Sequence, residues 1–191
     1  MDDIVKQAMA KWPNVPHCYG WLLLDARGNW RMRDERAQHL NLPGDKLANR
    51  ALTGFIERNY LHDEHGNWYF QNGPQRVYLN LEATPYIART DPAQGFMLHT
   101  QQPLGAVDKV FLTEAGELIL QSGDVVAQLD DRDVAQVLAR LRLDGKPADD
   151  EVLLSWMTRP AGTLTLDGVA VERLEHGRVP EQFGFRRLPA P

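Results

Sequence analysis

Three hexapeptides that carry a glycine at the same place constrain the fold more than any other feature of the chain. They are DARGNW (25–30), DEHGNW (63–68) and TEAGEL (113–118), with Gly28, Gly66 and Gly116 in register. An Asp at the first turn position accepts hydrogen bonds from the backbone further on. A glycine at the fourth tolerates positive φ, so the pattern reads as a type I turn with a bulge between two antiparallel strands. The residues ahead of the turns match in kind: WLLL (21–24), NYLH (59–62) and KVFL (109–112). Trp21 to Leu24 is apolar on both faces, which calls for a central strand or one covered by a helix.

The segments between the turns supply helices. Ile4, Val5, Ala8, Met9 and Trp12 recur at helical spacing, with Asp2 or Asp3 to cap and Pro13 to stop. The strongest amphipathic pattern follows Asp45, where Leu47, Ala48, Ala51, Leu52, Phe55 and Ile56 share one face. DRDVAQVLARL (131–141) and the segment from Asp149 to Met157 give two more, each opened by acids that suit the positive end of a helix dipole. Between them run alternating strands: Val77, Leu79 and Leu81 against Tyr78, Asn80 and Glu82, and a final hairpin TLTLDGVAVERL turning at Asp167-Gly168. The turn formers of TDPAQG (90–95) mark the place to divide the chain. The expectation is an α+β protein of two small related units of antiparallel strands, each ordered hairpin–helix–hairpin with its sheet covered by one or two helices. The first covers residues 1–92 and the second 93–191. Coincidence between common turn sequences is the competing account of their likeness.

Composition narrows the function. A net charge of −5 and the lack of any basic run beyond Arg186-Arg187 argue against nucleic acid and against an anionic membrane surface. No segment reaches the ~20 apolar residues of a membrane-spanning helix. Cys18 is the single cysteine, so no intrachain disulfide or cysteine-based zinc site exists, which fits a cytoplasmic location. The opening MDDIVKQAMAKW has no signal-peptide core.

His62-Asp63-Glu64-His65 is the densest cluster of metal-ligating types, but its spacing straddles a turn and differs from the helical H-E-x-x-H pattern. Cys18 follows His17, and neighbours on an extended chain point to opposite faces, so they form no automatic nucleophile pair. No nucleophile elbow, phosphate loop or dinucleotide fingerprint is present, and no catalytic residue is assigned. The remaining candidate is a surface of amides and aromatics: Trp68, Gln71, Gln75, Arg76, Tyr78 and Asn80. An aromatic floor with amide donors and one Arg suits a small polar ligand. An ordinary sheet face with a polar turn is the plainer alternative.

NWYFQNGPQRVYLNLEATPYIAR (67–89), together with the DARGNW start, resembles an uncharacterised family of proteobacterial proteins of about this length. It also looks like a second uncharacterised family with a repeated α+β motif, for which a role in signal transduction has been suggested. The resemblance implies the two-unit fold and no catalytic residues. The expected protein is therefore cytoplasmic and non-enzymatic, binds a small ligand or acts in regulation, and needs no cofactor. Two alternatives stand beside it: a homodimeric interaction module pairing through an exposed strand edge, and a metal-dependent enzyme using His62, His65 and a nearby acid.

Overall fold

All three glycine turns close in one geometry. In each, the residue at the first position bonds through its backbone to the residue four ahead, and the glycine N–H returns to the first carbonyl at 3.0–3.2 Å. The glycines sit at φ of 76°, 77° and 79°. Asp25 and Asp63 also accept, through Oδ1, the backbone N–H groups two and four residues on. The turns arise from the short carboxylate at one end and the missing Cβ at the other.

The structure is a computed structural model that describes residues Met1–Pro191. It is a mixed α+β chain dominated by two curled β-sheets, and it divides into two units. The first unit comprises Met1–Pro85 and Phe183–Pro191, and the second Tyr86–Gln182.

In the first unit the chain runs α1 (Asp3–Lys11), β1 (Cys18–Leu24), β2 (Trp30–Met32), α2 (Glu35–His39), β3 (Asp45–Lys46), α3 (Arg50–Arg58), β4 (Tyr60–His62), β5 (Trp68–Asn72) and β6 (Gln75–Leu81). The strands form one sheet in the order β3-β2-β1-β6-β5-β4. Its central pair, β1 and β6, is parallel, and a bulge at Gly20 and Trp21 interrupts it between the Tyr19–Tyr78 and Leu22–Leu79 pairs. One face holds Leu22, Leu24, Trp30, Tyr60, Phe70, Leu79 and Leu81, all buried. α3 covers that face, with Ile56 buried and Phe55 edge-to-face on Phe70 at 5.4 Å.

α3 starts later than its pattern indicates. Asn49 caps it, accepting from the N–H groups of Ala51 and Leu52. Asp45 instead lies in β3 opposite Met32, and the Leu47 N–H bonds the Trp30 carbonyl, so the backbone stays extended past the apparent cap. The tail returns to this sheet: the Leu81 N–H donates to the Arg187 carbonyl at 2.8 Å and the Arg186 N–H to the Gly66 carbonyl at 2.9 Å.

The second unit runs β7 (Tyr86–Asp91), β8 (Gly95–Leu98), β9 (Lys109–Thr113), β10 (Leu118–Ser122), β11 (Val125–Leu129), α4 (Asp131–Leu138), β12 (Leu141–Leu143), β13 (Lys146–Pro147), α5 (Asp150–Thr158), β14 (Leu164–Leu166) and β15 (Val169–Leu174). A 3-10 turn, His176–Arg178, and α6 (Val179–Phe183) lead to the tail. The nine strands are ordered β13-β12-β14-β15-β9-β10-β11-β7-β8. Leu153 and Trp156 of α5 and Val137 of α4 are buried in one core with Val110, Leu112, Leu120 and Val171 of the sheet.

The sheets are mixed, not purely antiparallel. β1 with β6, β7 with β11 and β9 with β15 run parallel. Each unit lays its last strand beside a much earlier one, a pairing that hairpin signals do not encode. TDPAQG lies within the second unit: β7 and β8 form a hairpin there, and Asp91 caps its turn by accepting from the Ala93 and Gln94 N–H groups. The segment QFGFRR (182–187) holds the end of α6 followed by a single bridge between Asn67 and Arg186.

Candidate functional site

The six predicted binding residues fall on two faces of the first sheet. Strand parity decides this: Gln71 opposes Arg76 and Tyr69 opposes Tyr78, while Phe70 opposes Val77 and Asn72 opposes Gln75. Gln71, Arg76, Tyr78 and Asn80 therefore share the face away from α3, and Trp68 and Gln75 take the other.

On the face away from α3 several side chains interact with one another, while the buried Gln71 Oε1 has no hydrogen-bond partner. Tyr19 stacks on Tyr78 at 4.7 Å, and Tyr69 lies 5.4 Å from Tyr78. The Arg76 guanidinium sits over the Tyr69 ring at 4.7 Å and donates to the Tyr78 hydroxyl at 3.3 Å. That hydroxyl donates to Asp63 Oδ2 at 3.2 Å. Tyr69, Tyr78, Gln71 and Asn80 are buried. The Gln71 amide donates to the Gly73 carbonyl. Burial raises the Tyr19 and Tyr69 phenols, which keeps them neutral and poor bases. Burial also acts to raise Asp63, but the hydrogen bonds from Asn67, His65 and Tyr78 outweigh it and hold the carboxyl below its ordinary value. The result is an Arg–Tyr–Asp chain linked by single hydrogen bonds.

The two remaining residues are likewise engaged. Gln75 donates to the Pro16 carbonyl at 3.0 Å. Trp68 packs between Tyr60 at 4.7 Å and His62 at 4.9 Å.

The histidine cluster disperses at its turn. His62 Nδ1 lies 3.0 Å from the Asp63 carbonyl, His65 faces Glu64, and the Asp63 carboxylate turns inward to the turn backbone. No group of three or more His, Cys, Asp or Glu residues in the chain is placed to hold a metal ion.

Acidic groups do gather just past the carboxyl ends of the parallel pairs. After β1 and β6, the Ala26 N–H donates to Glu82 and buried Asp25 takes the Arg31 guanidinium at 2.6 Å. After β7 and β11, buried Asp130 and Asp133 share Arg89, with Arg132 on Asp130 and Thr90 on Asp133. After β9 and β15, Glu117 bonds Thr113 and lies 2.7 Å from His176. Asp25, Asp130, Asp133 and Glu117 each have a cationic, imidazole or hydroxyl partner, and Glu82 has the Ala26 N–H.

The open space is on the α3 side. A cavity of about 330 Å³ lies between α3 and the sheet, lined by Cys18, Trp21, Leu22, Phe55, Phe70 and Val77, with Met32, Leu47, Leu52, Ile56 and Asn72 completing it. No lining residue is charged. The β1 bulge turns Trp21 to the same cavity as its neighbour Leu22, which strict alternation forbids. The bulge needs Gly20 because its φ of 79° lies in the left-handed region that strains any residue with a Cβ. Trp21, Met32 and Leu52 are left more than a third exposed at the cavity. Burial pushes the Cys18 thiol up, away from the reactive thiolate.

Sequence reasoning missed this cavity. Its residues come from six stretches between Cys18 and Val77, and the bulge that aims Trp21 has no periodic signature. The second unit has larger depressions, about 670 Å³ beside α4 and α5 with Asp149, Asp150 and Glu151, and about 560 Å³ flanked by Glu114, Arg173, Glu175 and Arg178. Unlike the α3 cavity, both carry charged residues in their walls.

A family profile described as "Protein of unknown function (DUF2946)" matches residues 1–190. Among solved structures, a DUF1285 family protein from Silicibacter pomeroyi DSS-3 is similar, with a TM-score of 0.49 and 12% identity over 83% of this chain and 82% of that one. No curated protein matches the chain.

Proposed function

We propose, for a chain that belongs to the family described as Protein of unknown function (DUF2946), that it is a non-enzymatic protein binding a small, largely apolar ligand in the cavity beneath α3. The observation that carries this reading is the cavity itself: about 330 Å³, walled by aliphatic and aromatic side chains, with no ionised group to solvate. That volume is at the lower end of the range typical of small-molecule sites. On the amide–aromatic strands, where a polar ligand is the expectation, Arg76 pairs with Tyr78 and Tyr78 with Asp63, so the α3 cavity has the stronger support.

The sole cysteine lines the cavity and reports on its occupancy. Modification of Cys18 by N-ethylmaleimide should slow in the presence of a bound apolar compound, and the same compound should raise the melting temperature. Apolar compounds that neither protect Cys18 nor shift the melting temperature would remove the reading.

A role in regulation fits a binding site without catalytic groups, and the cytoplasm fits the single unpaired cysteine and acidic charge. No helix is long and apolar enough to cross a membrane. We further infer that the two units are related. Reading each sheet outward from its parallel centre, the order β3-β2-β1-β6-β5-β4 corresponds to β11-β10-β9-β15-β14-β12, with α3 and α4 at equivalent points of the chain. The strand-edge homodimer has less support. The sheet edges β3, β4, β13 and β8 are two to four residues long, and Pro103 bridges β8.

A further inference from the structure

We propose that the α3 cavity takes an uncharged planar aromatic compound of about indole size that carries one hydrogen-bond acceptor, a statement that rests on the cavity being a ligand site. The second unit supplies the template. There the central parallel strands β9 and β15 bury Val110, Leu112 and Val171 beneath two helices, and α5 contributes Leu153 and the indole of Trp156 to that core. In the first unit the corresponding central strands are β1 and β6, also parallel and also the first and last of their set. On the cavity face the cover is α3; α2 has five residues, and α1 buries only Val5. The cavity opens over Cys18, Leu22 and Val77 of those two strands. In the second unit, side chains of α5 pack over the central strands.

The lining gives the ligand's chemistry. Phe55 and Phe70 meet edge-to-face at 5.4 Å and Trp21 adds a third ring, so a planar aromatic guest finds edges and faces to stack on. No lining residue carries a charge to pair with an ionised guest, and burying an unpaired charge is costly. Two side-chain donors at the cavity, the Trp21 indole N–H and the Asn72 amide, make no hydrogen bond within the chain. Both residues are exposed at the cavity rim, so an acceptor such as an amide or carbonyl oxygen on the guest can reach them in place of water.

Three probes of similar size separate the terms: the primary amide of indoleacetic acid, indoleacetate itself, and octanamide. Binding to the full chain is read by protection of Cys18 from N-ethylmaleimide and by calorimetry. The indole amide should bind about tenfold more tightly than octanamide, the advantage expected from aromatic contacts beyond area burial. It should also outbind the charged acid. Leu52→Trp, which fills the cavity from α3, should abolish protection, and Met32→Trp does the same from the sheet side should the first variant fold poorly. Asn72→Leu should weaken binding of the indole amide. Octanamide binding as tightly as the indole amide would overturn the aromatic assignment and leave the cavity standing as an acyl site. Failure of all three probes to protect Cys18, with both filling variants behaving as wild type, would overturn the assignment and the ligand site together.

Discussion

Two glycines with the same φ sit in very different surroundings. Gly116 has nothing within 4 Å of where a Cβ would go, whereas at Gly66 that atom would lie 2.1 Å from the Gly184 carbonyl oxygen. Gly116→Ala should therefore cost only the left-handed strain of a non-glycine residue, about 1 kcal/mol, and Gly66→Ala should cost about 3 kcal/mol, since backbone must move as well. Urea midpoints of the two variants test the difference. Equal losses would mean that the tail does not press on the turn. The turn residue Asp25 makes a separate point about charge. Burial acts to raise its carboxyl, but hydrogen bonds from Asn29, Arg31 and Arg27 win and hold it below its ordinary 3.8. A depressed folded value means the stabilisation is complete above pH of about 4 and is lost as the pH falls through the folded value. Asp25→Asn should cost about 1–3 kcal/mol at neutral pH, the range for charged hydrogen bonds, and the difference from wild type should shrink on acidification. A pH series of urea midpoints checks both sign and size. At this scale the turns were legible, because Asp and Gly act on their own backbone. The candidate site was not. Tyr78 and Arg76 are separated by one residue and read as an open surface, yet their partners Tyr19 and Asp63 come from distant stretches.

Among the elements, those with local signals were recovered and those specified by pairing were lost. α4 and α5 open at Asp130 and Asp149, whose side chains accept from the Arg132 and Val152 N–H groups, and both acids stand out in the sequence. α3 was misplaced at its start because β3 borrows the apparent cap for a two-residue pairing with β2. β12 and β13 went unread since LRLDGK follows directly on the apolar pattern of α4. Asp144 and Gly145, both at positive φ, make the hairpin turn. The two caps give a graded test. Asp149 is exposed and does little besides capping, so Asp149→Ala should cost about 1 kcal/mol. Asp130 is fully buried, caps α4, takes the Arg132 guanidinium and lies 3.7 Å from Arg89. Asp130→Ala should cost about 2–4 kcal/mol, a cap plus charged hydrogen bonds, with Arg132 and Arg89 half exposed and able to recover water. Chemical denaturation followed by circular dichroism should rank the variants in that order, and a cheaper Asp130→Ala would mean the network is ornamental to α4.

For the whole molecule, the chain's last nine residues belong with its first 85, although the second unit intervenes. Composition cannot show this, because the tie consists of backbone bonds from Leu81 and Arg186 and the burial of a single ring, Phe185. Two α+β units and their turn-rich sheets were foreseeable from local patterns. The mixed sheets and the returning tail were not, since both depend on partners far apart in sequence. The tail's contribution can be isolated by ending the chain after Gln182. That removes Phe185, whose full burial is worth about 1.5–3 kcal/mol, together with the acceptor of the Leu81 N–H and the donor to the Gly66 carbonyl. The loss should appear as faster hydrogen exchange in β1, β5 and β6, with Leu81 the most affected. Amides of β9, β10 and β11, whose ladder is complete within the second unit, should keep their protection. Since the α3 cavity rests on β1 and β6, the truncated chain should also leave Cys18 more reactive toward maleimide. Uniform loss of protection across both sheets would instead mean that the two units unfold as one, and the tail would then stabilise the whole chain and not its first unit alone.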